Sequence, residues 1–207
     1  MTDPTSHEGY SASIAEEAYA ERLNKLQSKW WKKLLNVQLP WKLLMKRLRL
    51  GRVLDVGCGN GRNLHYVDPG SVGVDHNAFS IQTARASGVE AYTVAEFFAN
   101  ESVSAPESYD SILAAHLMEH LTVQEGREVI GSYLPLLKHG GRVVFICPQE
   151  RGYASDATHV LFADFAVLRE QAEALGLVVE RERSFPFPRF AGKPFIYNEF
   201  HVIARKP

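Results

Sequence analysis

The chain has 207 residues, 45% of them hydrophobic and 23% charged, with a formal net charge of −1. These values predict one globular domain with a full-sized core, and a near-neutral chain gives no electrostatic reason to expect nucleic acid as a partner. The two cysteines suggest no disulfide framework, and no signal peptide or run of 18 apolar residues occurs, so a cytoplasmic protein that spans no membrane is expected.

Residues 1–50 are predicted to form an N-terminal helical cap with flexible first residues and helices at Ile14–Leu35 and Pro40–Leu48. Between Arg22 and Arg52 there are ten Lys/Arg residues and no Asp or Glu, and this region contains Trp30, Trp31 and Trp41. One interpretation is a surface that binds an acceptor, a membrane or RNA. The other, which we favour for the lysines, is a helical pair packed on the sheet with a solvated basic face.

A buried strand followed by three glycines lies at Val53–Leu64. Gly57, Gly59 and Gly61 predict a tight turn that a ligand can approach closely, followed by a helix that starts near Asn60. The spacing is G-x-G-x-G, whereas a dinucleotide site has G-x-G-x-x-G, and no phosphate-binding P-loop pattern occurs. Asp55 precedes the glycines and favours a cationic or amino-bearing ligand.

The segment Asp55-Val-Gly-Cys-Gly-Asn-Gly61 resembles the first motif of the class I S-adenosylmethionine-dependent methyltransferases, and the resemblance extends over residues 50–205. It implies an α/β, Rossmann-like, doubly wound fold, with a mostly parallel seven-stranded sheet whose last strand is antiparallel, over residues 51–207. It also implies S-adenosylmethionine as the cofactor. The residues of the motif expected to bind it are Asp55, Gly57, Cys58, Gly59 and Gly61.

Further cofactor contacts are expected after the second and third predicted strands. Asp75 ends the second strand about 20 residues after the first motif, where a carboxylate binds ribose hydroxyls. His76 could line the ribose or adenine, or simply lie exposed at a helix start. Ala95 and Glu96 follow the predicted third strand, Val89–Val94, at the family's adenine position. His116, after the fourth predicted strand, is also expected to contact the cofactor.

The segment His116-Leu-Met-Glu119-His120 follows the predicted fourth strand, Tyr109–Ala115. H-x-x-E-H is also a zinc-protease pattern, but that pattern lies inside a long helix and this one follows a strand. Many members of the methyltransferase family carry Leu-Glu-His or Met-Glu-His at this point, so one interpretation is that Glu119 and His120 are a structural pair. Some metal-dependent methyltransferases carry E-x-x-E-H here and a later histidine, so His116 departs from them. Imidazole favours zinc, manganese or iron over magnesium.

The C-terminal part predicts a helix at Val123–Leu137, a glycine turn into a fifth strand, Val143–Cys147, and a final hairpin made by Leu177–Ser184 and Phe195–Arg205. His159 lies among turn-forming residues before a helix, which favours a positioned side chain facing the acceptor. The aromatic linker 185–190 either walls the acceptor pocket or covers the sheet edge, and we favour the latter.

The predicted function is O-methylation of a small-molecule hydroxyl, with a glycoside as the leading acceptor. A hydroxyl needs a base or a metal to lose its proton. We expect catalytic roles for His116, Glu119, His120 and His159, and a divalent cation on Glu119, His120 and His159. The alternatives are RNA 2′-O-methylation, another acceptor such as a quinol, phenol or amine, and a non-catalytic binding module. Either a monomer or a homodimer is compatible with the sequence.

Overall fold

The computed structural model describes residues 39–207. The predicted flexible start, the helix Ile14–Leu35, Trp30 and Trp31 lie outside the described residues, and the division into a cap and a domain at residue 50 stays a prediction. Helix α1 spans Leu39–Leu48, close to the predicted Pro40–Leu48. Leu44, Met45 and Leu48 form its buried face at helical spacing, and Pro40 lies in the first turn, where a missing N–H costs nothing.

Five more helices and seven strands follow along the chain. The strands are β1 Val53–Val56, β2 Val72–Asp75, β3 Ala91–Thr93, β4 Tyr109–Ala115, β5 Leu137–Pro148, β6 Val178–Phe185 and β7 Glu199–Arg205. The helices are α2 Ala78–Ala86, α3 Val94–Ala99, α4 Val123–Tyr133, α5 Glu150–Tyr153 and α6 Phe165–Ala174. Short 3₁₀ turns lie at Arg62–Tyr66, Met118–His120, Leu134–Leu136 and Arg189–Gly192.

The strands form one sheet in the order β3-β2-β1-β4-β5-β7-β6. The first five strands are parallel, and β7 runs antiparallel to both of its neighbours. This confirms the predicted Rossmann-like, mostly parallel seven-stranded sheet. The strand order reverses between β1 and β4, and ligands of such sheets bind beyond the carboxyl ends of the strands at that point.

Alternate residues of the central strands fill two separate cores, one on each side of the sheet. On β4, Ile112 and Ala114 belong to a large core, while Leu113 and Ala115 face the opposite side. The second core also contains Leu44, Met45 and Leu48, so α1 packs directly on the sheet. Successive side chains of β4 thus point to opposite faces of the sheet. Both faces are therefore apolar, as in a sheet that has helices packed on each side.

Several element boundaries differ from the prediction, among them those of β3, which is shorter at both ends, and of β7, which begins at Glu199 rather than Phe195. Three further differences have a local cause. The helix expected after the glycine turn is one 3₁₀ turn, Arg62–Tyr66, because the breakers Pro69 and Gly70 follow closely. The helix from Val123 ends at Tyr133 because Pro135 supplies no N–H to continue it. Strand β5 begins at Leu137, six residues before the predicted Val143, since Gly140 takes a φ of 73° within it.

Among residues 39–207, no helix is long and apolar enough to cross a membrane.

Candidate active site

The glycine turn joins β1 to the 3₁₀ turn at the predicted ligand-binding edge of the sheet. Gly57, Gly59 and Gly61 all have positive φ, at 74°, 54° and 77°. A Cβ on Gly57 or Gly61 would lie 2.9 Å from Leu117 or 2.6 Å from Val89, whereas a Cβ on Gly59 would meet no atom within 4 Å. The backbone at Gly59 therefore faces open space, as a turn that cradles a ligand requires.

The first backbone amides of the turn are already hydrogen-bonded within the protein. The N–H groups of Gly57 and Cys58 donate to the Val74 carbonyl at 2.8 and 3.1 Å, and the N–H of Gly59 donates to Asp75 at 2.8 Å. The Cys58 side chain is buried, and burial raises the pKa of its thiol. The expected helix N-terminus is a single 3₁₀ turn, so side chains rather than a helix dipole must recognise the ligand.

Asp55 is a completely buried carboxylate at the end of β1. Its Oδ2 accepts a hydrogen bond from Asn63 at 3.3 Å, and the Asn63 amide oxygen accepts one from the Trp41 indole at 3.2 Å. Its Oδ1 is buried with no hydrogen-bond partner. Burial raises the pKa of Asp55 to about 7, against the lowering effects of Asn63 and Arg62. An unpaired buried acceptor is costly, so Oδ1 marks a place for a donor group of a ligand.

Asp75 ends β2 beside the glycine turn, where the sequence predicts a ribose contact. Its Oδ2 accepts from Gly59 and its Oδ1 from the backbone N–H of Asn77 at 2.9 Å, so the carboxylate is fixed in place. His76 lies 3.4 Å from the same Oδ1, and its side chain is 85% exposed. The structure thus joins Asp75 to the turn and puts His76 at the surface.

Ala95 and Glu96 lie exposed in the first turn of α3. The Glu96 carboxylate accepts from the Thr93 backbone N–H at 2.8 Å in a capping box and pairs with Arg85 at 2.8 Å. These bonds from Thr93 and Arg85 lower the pKa of Glu96 to about 2. Because helix capping already engages the carboxylate, the geometry adds nothing in favour of the adenine contact predicted for these two residues.

His116 follows β4 in a left-handed backbone conformation, with a φ of 59°. Its Nδ1 lies 3.1 Å from Oε1 of Glu119, and its Nε2 lies 3.0 Å from Oε1 of Glu199. Burial would lower the pKa of His116, but the hydrogen bonds to these two carboxylates raise it to about 10. A cationic imidazole that donates from both nitrogens has no lone pair for a base or a metal ligand, so this geometry favours a role in holding Glu119.

Glu199 and His201 lie at the start of β7 and were not predicted. His201 Nε2 lies 3.1 Å from Oε2 of Glu199, which thus joins His201 to His116. Despite burial, which raises it, the hydrogen bonds from both histidines lower the pKa of Glu199 to about 2, whereas burial lowers the pKa of His201. The ring of Trp41 lies 6.4 Å from that of His116 and 6.0 Å from that of His201. The sequence signal for these two residues was that Glu199 and His201 alternate with Phe200 at the start of a strand whose middle is apolar.

Glu119, His120 and His159 come together as the sequence predicted for a metal site. One potential ligand atom of each lies within 4.8 Å of the others. Glu119 and His120 belong to the 3₁₀ turn after β4, and His159 belongs to the loop before α6. The N–H groups of Val160 and Leu161 donate to the Glu119 carbonyl at 2.8 and 3.1 Å and fix this loop against the turn.

The orientation of these three side chains suits a cation or a proton acceptor. His159 Nδ1 lies 2.8 Å from the Tyr153 carbonyl, so Nδ1 carries the proton and Nε2 keeps its lone pair. His120 Nδ1 lies 3.4 Å from the Thr158 carbonyl, an arrangement of the same kind. Glu119 Oε2 is buried and has no hydrogen-bond partner. Two imidazoles and one carboxylate fit zinc, manganese or ferrous iron better than magnesium.

Comparisons with known proteins agree with this architecture. A family model described as a methyltransferase domain matches residues 54–143. A ubiquinone biosynthesis O-methyltransferase of Klebsiella pneumoniae is 28% identical in an alignment of 164 positions that covers 69% of this chain and 65% of the relative. The chain thus matches just under two thirds of the length of that relative.

Two solved structures share the fold. A methyltransferase from Archaeoglobus fulgidus has a TM-score of 0.56 at 18% identity, over 86% of this chain and all of its own. Magnesium protoporphyrin IX methyltransferase from Synechocystis, solved with S-adenosylhomocysteine, has a TM-score of 0.63 at 13% identity, over 95% of this chain and all of its own. At such identities the likeness concerns the fold alone. Together with the family match over residues 54–143, the strand order and the glycine turn after β1, this likeness shows that the chain has the fold of S-adenosylmethionine-dependent methyltransferases and resembles a methyltransferase domain over those residues.

Proposed function

We propose that this protein is an O-methyltransferase that acts on a hydroxyl group of a small molecule, with Glu119, His120 and His159 activating that hydroxyl. The observation that carries the proposal is the convergence of these three side chains within 4.8 Å at the rim of the sheet. An amine or carbon acceptor needs little more than alignment, whereas a hydroxyl must lose a proton. A cluster of this kind supplies what a hydroxyl acceptor needs.

The cofactor contacts follow from the same edge of the sheet. Asp55 would accept a hydrogen bond from the amino group of S-adenosylmethionine through Oδ1, which has no partner within the protein. Gly59 leaves open space at the backbone, and Asp75 is held beside it for the ribose hydroxyls. When bound, S-adenosylmethionine supplies a methyl group already activated on sulfur. The protein must then position the acceptor and remove its proton.

The proton is removed at the cluster in either of two ways. His159 can accept it at Nε2, since its Nδ1–H is held by the Tyr153 carbonyl. Alternatively, Glu119, His120 and His159 would hold a divalent cation, which would lower the pKa of an acceptor oxygen bound to it so that solvent water could take the proton. The orphaned Oε2 of Glu119 favours the cation, because a positive charge there would satisfy a buried acceptor.

For the acceptor, a quinol or phenol has more support than the glycoside expected from the sequence. Curated relatives from Klebsiella pneumoniae and Bordetella are named ubiquinone biosynthesis O-methyltransferases, whereas these names give no support for a sugar acceptor. Aromatic faces also lie next to the cluster: the ring of Tyr153 stacks on that of His159 at 5.4 Å. A planar aromatic acceptor would match such faces.

The test is methyl transfer from labelled S-adenosylmethionine to a panel of catechols, quinols, simple phenols, glycosides and amines. Each reaction is run as purified, after EDTA, and after addition of Zn²⁺, Mn²⁺, Fe²⁺ or Mg²⁺. We expect transfer to aromatic hydroxyls that EDTA abolishes and a transition metal restores better than Mg²⁺. Transfer to amines alone, with S-adenosylhomocysteine binding intact, would refute the proposal.

Single variants separate the cluster from a general effect of losing a histidine. His120→Ala and His159→Ala should each lower the rate at least about 100-fold, the range of general acid–base or metal assistance. His139→Ala is the matched control, since His139 lies at the start of β5 and its side chain is 75% exposed. Its rate should equal that of the wild type.

A further inference from the structure

A basic cleft lies between α1 and the edge strand β6, on the face of the sheet that α1 covers. Its volume is about 650 Å³, and its lining includes Lys46, Arg47 and Arg49 from the end of α1, Arg142 from β5 and Arg181 from β6. Among the lining residues in the range 39–207, the only carboxylate is that of Glu180, which pairs with Arg205 at 2.8 Å. Five cations of the described residues therefore face one cavity, and the single described carboxylate there is already paired.

These cations are not neutralised within the part of the chain that the structure describes. Lys46, Arg47, Arg49 and Arg181 form no ion pair with any carboxylate of residues 39–207. Arg142 donates to the backbone carbonyls of Leu48 and Arg49 at the end of α1, which orients its guanidinium and leaves its charge unpaired. Like charges that lie close together without a counter-ion repel one another. Binding of an anion in the cleft would relieve this repulsion.

Arg183, two residues along β6 from Arg181, strengthens this argument. Two of its guanidinium nitrogens, Nε and Nη2, are buried and have no hydrogen-bond partner. Arg181 and Arg183 are two residues apart on β6, where they pair with Ile203 and His201, so their side chains leave the same face of the sheet, the one on which Ile203 lines the cleft. Burial lowers the pKa of Arg183, and the positive charges of Arg181 and Arg47 lower it further. A buried cation that donates to nothing is unfavourable, and an anion that accepts from it removes that cost.

We propose that this cleft is a binding site for a phosphate-bearing ligand, whose oxyanion is held by Arg47, Arg181 and Arg183. Guanidinium groups bind phosphate oxygens in pairs with fixed geometry, and three arginines suit a group that carries two or more negative charges. A volume of about 650 Å³ is that of a small-molecule site. The net charge of −1 argues against a protein surface that binds polyanions in general.

The experiment is calorimetric titration of the full chain with inorganic pyrophosphate, at an ionic strength kept constant with sodium chloride. The double variant Arg47→Gln/Arg181→Gln removes two cleft charges that form no described ion pair, so the fold should be unaffected. We expect saturable binding by the wild type that weakens at least tenfold in the double variant. Arg151→Gln, an exposed arginine on α5 outside the cleft, should bind like the wild type.

A second arm uses vesicles with and without phosphatidylglycerol, to distinguish a free phosphate compound from a lipid headgroup. Pyrophosphate binding without vesicle flotation assigns the site to a soluble ligand, and flotation lost in the double variant assigns it to a headgroup. The proposal is overturned if neither probe binds, if both bind the double variant as well as the wild type, or if only an RNA oligonucleotide binds. Unfolding curves of every variant without ligand verify that the fold is intact.

Discussion

Asp55 is buried in the folded protein, so its protonation is linked to folding. Burial raises its pKa to about 7, well above the 3.8 of an ordinary aspartate. At a pH between these two pKa values, the folded state binds more protons than the unfolded state. The free energy of unfolding therefore falls as the pH rises through this range, because the buried carboxylate must ionise. We expect the stability of Asp55→Asn, relative to the wild type, to increase by roughly 2–3 kcal/mol between pH 5 and pH 8.

The measurement is urea unfolding at several pH values in that range. Asp110→Asn is the matched control, because the hydrogen bond from Lys138 lowers the pKa of Asp110 and that carboxyl is ionised throughout this window. The difference between Asp110→Asn and the wild type should therefore be constant from pH 5 to pH 8. If the Asp55→Asn difference were just as flat, the carboxylate of Asp55 would not be penalised by burial.

Glu199 is the other residue whose removal tests the site, this time through stability. It accepts hydrogen bonds from His116 at 3.0 Å and His201 at 3.1 Å, and His201 is almost completely buried. Removing one partner of a buried charged network costs about 3–5 kcal/mol, and the partial exposure of His116 puts this case near the lower figure. Glu199→Gln should thus lower the free energy of unfolding by about 3 kcal/mol.

Glu182→Gln provides the comparison within the same hairpin. Glu182 pairs with Arg169 at 2.8 Å, and that arginine side chain is 46% exposed. A pair of this kind contributes less than about 1 kcal/mol, so its loss should be several-fold smaller in the same denaturation experiment. Similar losses for both variants would mean that the network around Glu199 does not hold the site together.

The glycine turn is the element that the sequence described best. Alternating apolar residues predicted its strand, and the spaced glycines predicted its tight turn, in which all three glycines have positive φ, because both features depend on residues next to one another in the chain. Strand β4 follows the prediction residue for residue, from Tyr109 to Ala115, for the same reason. The prediction of a helix after the turn was wrong, because the length of that element depends on the helix-breaking residues Pro69 and Gly70 that follow it.

Gly59→Ala should separate the binding role of this element from its backbone strain. An added Cβ at Gly59 meets no protein atom, so the cost to stability is that of the left-handed conformation alone, about 1 kcal/mol. The same Cβ would enter the space that the cofactor needs. We expect calorimetry to show at least tenfold weaker binding of S-adenosylhomocysteine to this variant.

The matched control is Gly140→Ala, which introduces the same backbone strain at a position outside the glycine turn. Gly140 has a φ of 73°, its added Cβ also meets no atom within 4 Å, and it lies near the start of β5. It should lose about the same stability as Gly59→Ala and bind S-adenosylhomocysteine normally. Equal affinity of the two variants would place the cofactor away from Gly59.

At the scale of the whole molecule, the sheet brings together residues that no local pattern connects. His116 and Glu199 are 83 positions apart, and they meet because β7 lies antiparallel beside β5, with Glu199 paired to Pro148. Periodicity gives the faces of a strand but not its neighbours, so Glu199 and His201 could not be predicted. Glu119, His120 and His159 were predicted because each follows a strand or lies in a loop at the expected edge.

Because Glu119, His120 and His159 come from different parts of the chain, cation binding by these residues depends on the folded structure. Glu119 and His120 follow β4 and His159 lies in the loop after α5, so one ion would join two segments that are separate in sequence. A ligand that binds only the folded state stabilises it by about 2.7 kcal/mol at a concentration 100 times its dissociation constant. Thermal unfolding of protein treated with EDTA should therefore shift upward by several degrees when Zn²⁺ or Mn²⁺ is restored. His159→Ala should abolish the shift, and His65→Ala, which removes an exposed histidine bonded to Ser87, should keep it. A shift of equal size in both variants would mean that the ion binds elsewhere, and the three side chains would then act on the acceptor proton without a metal.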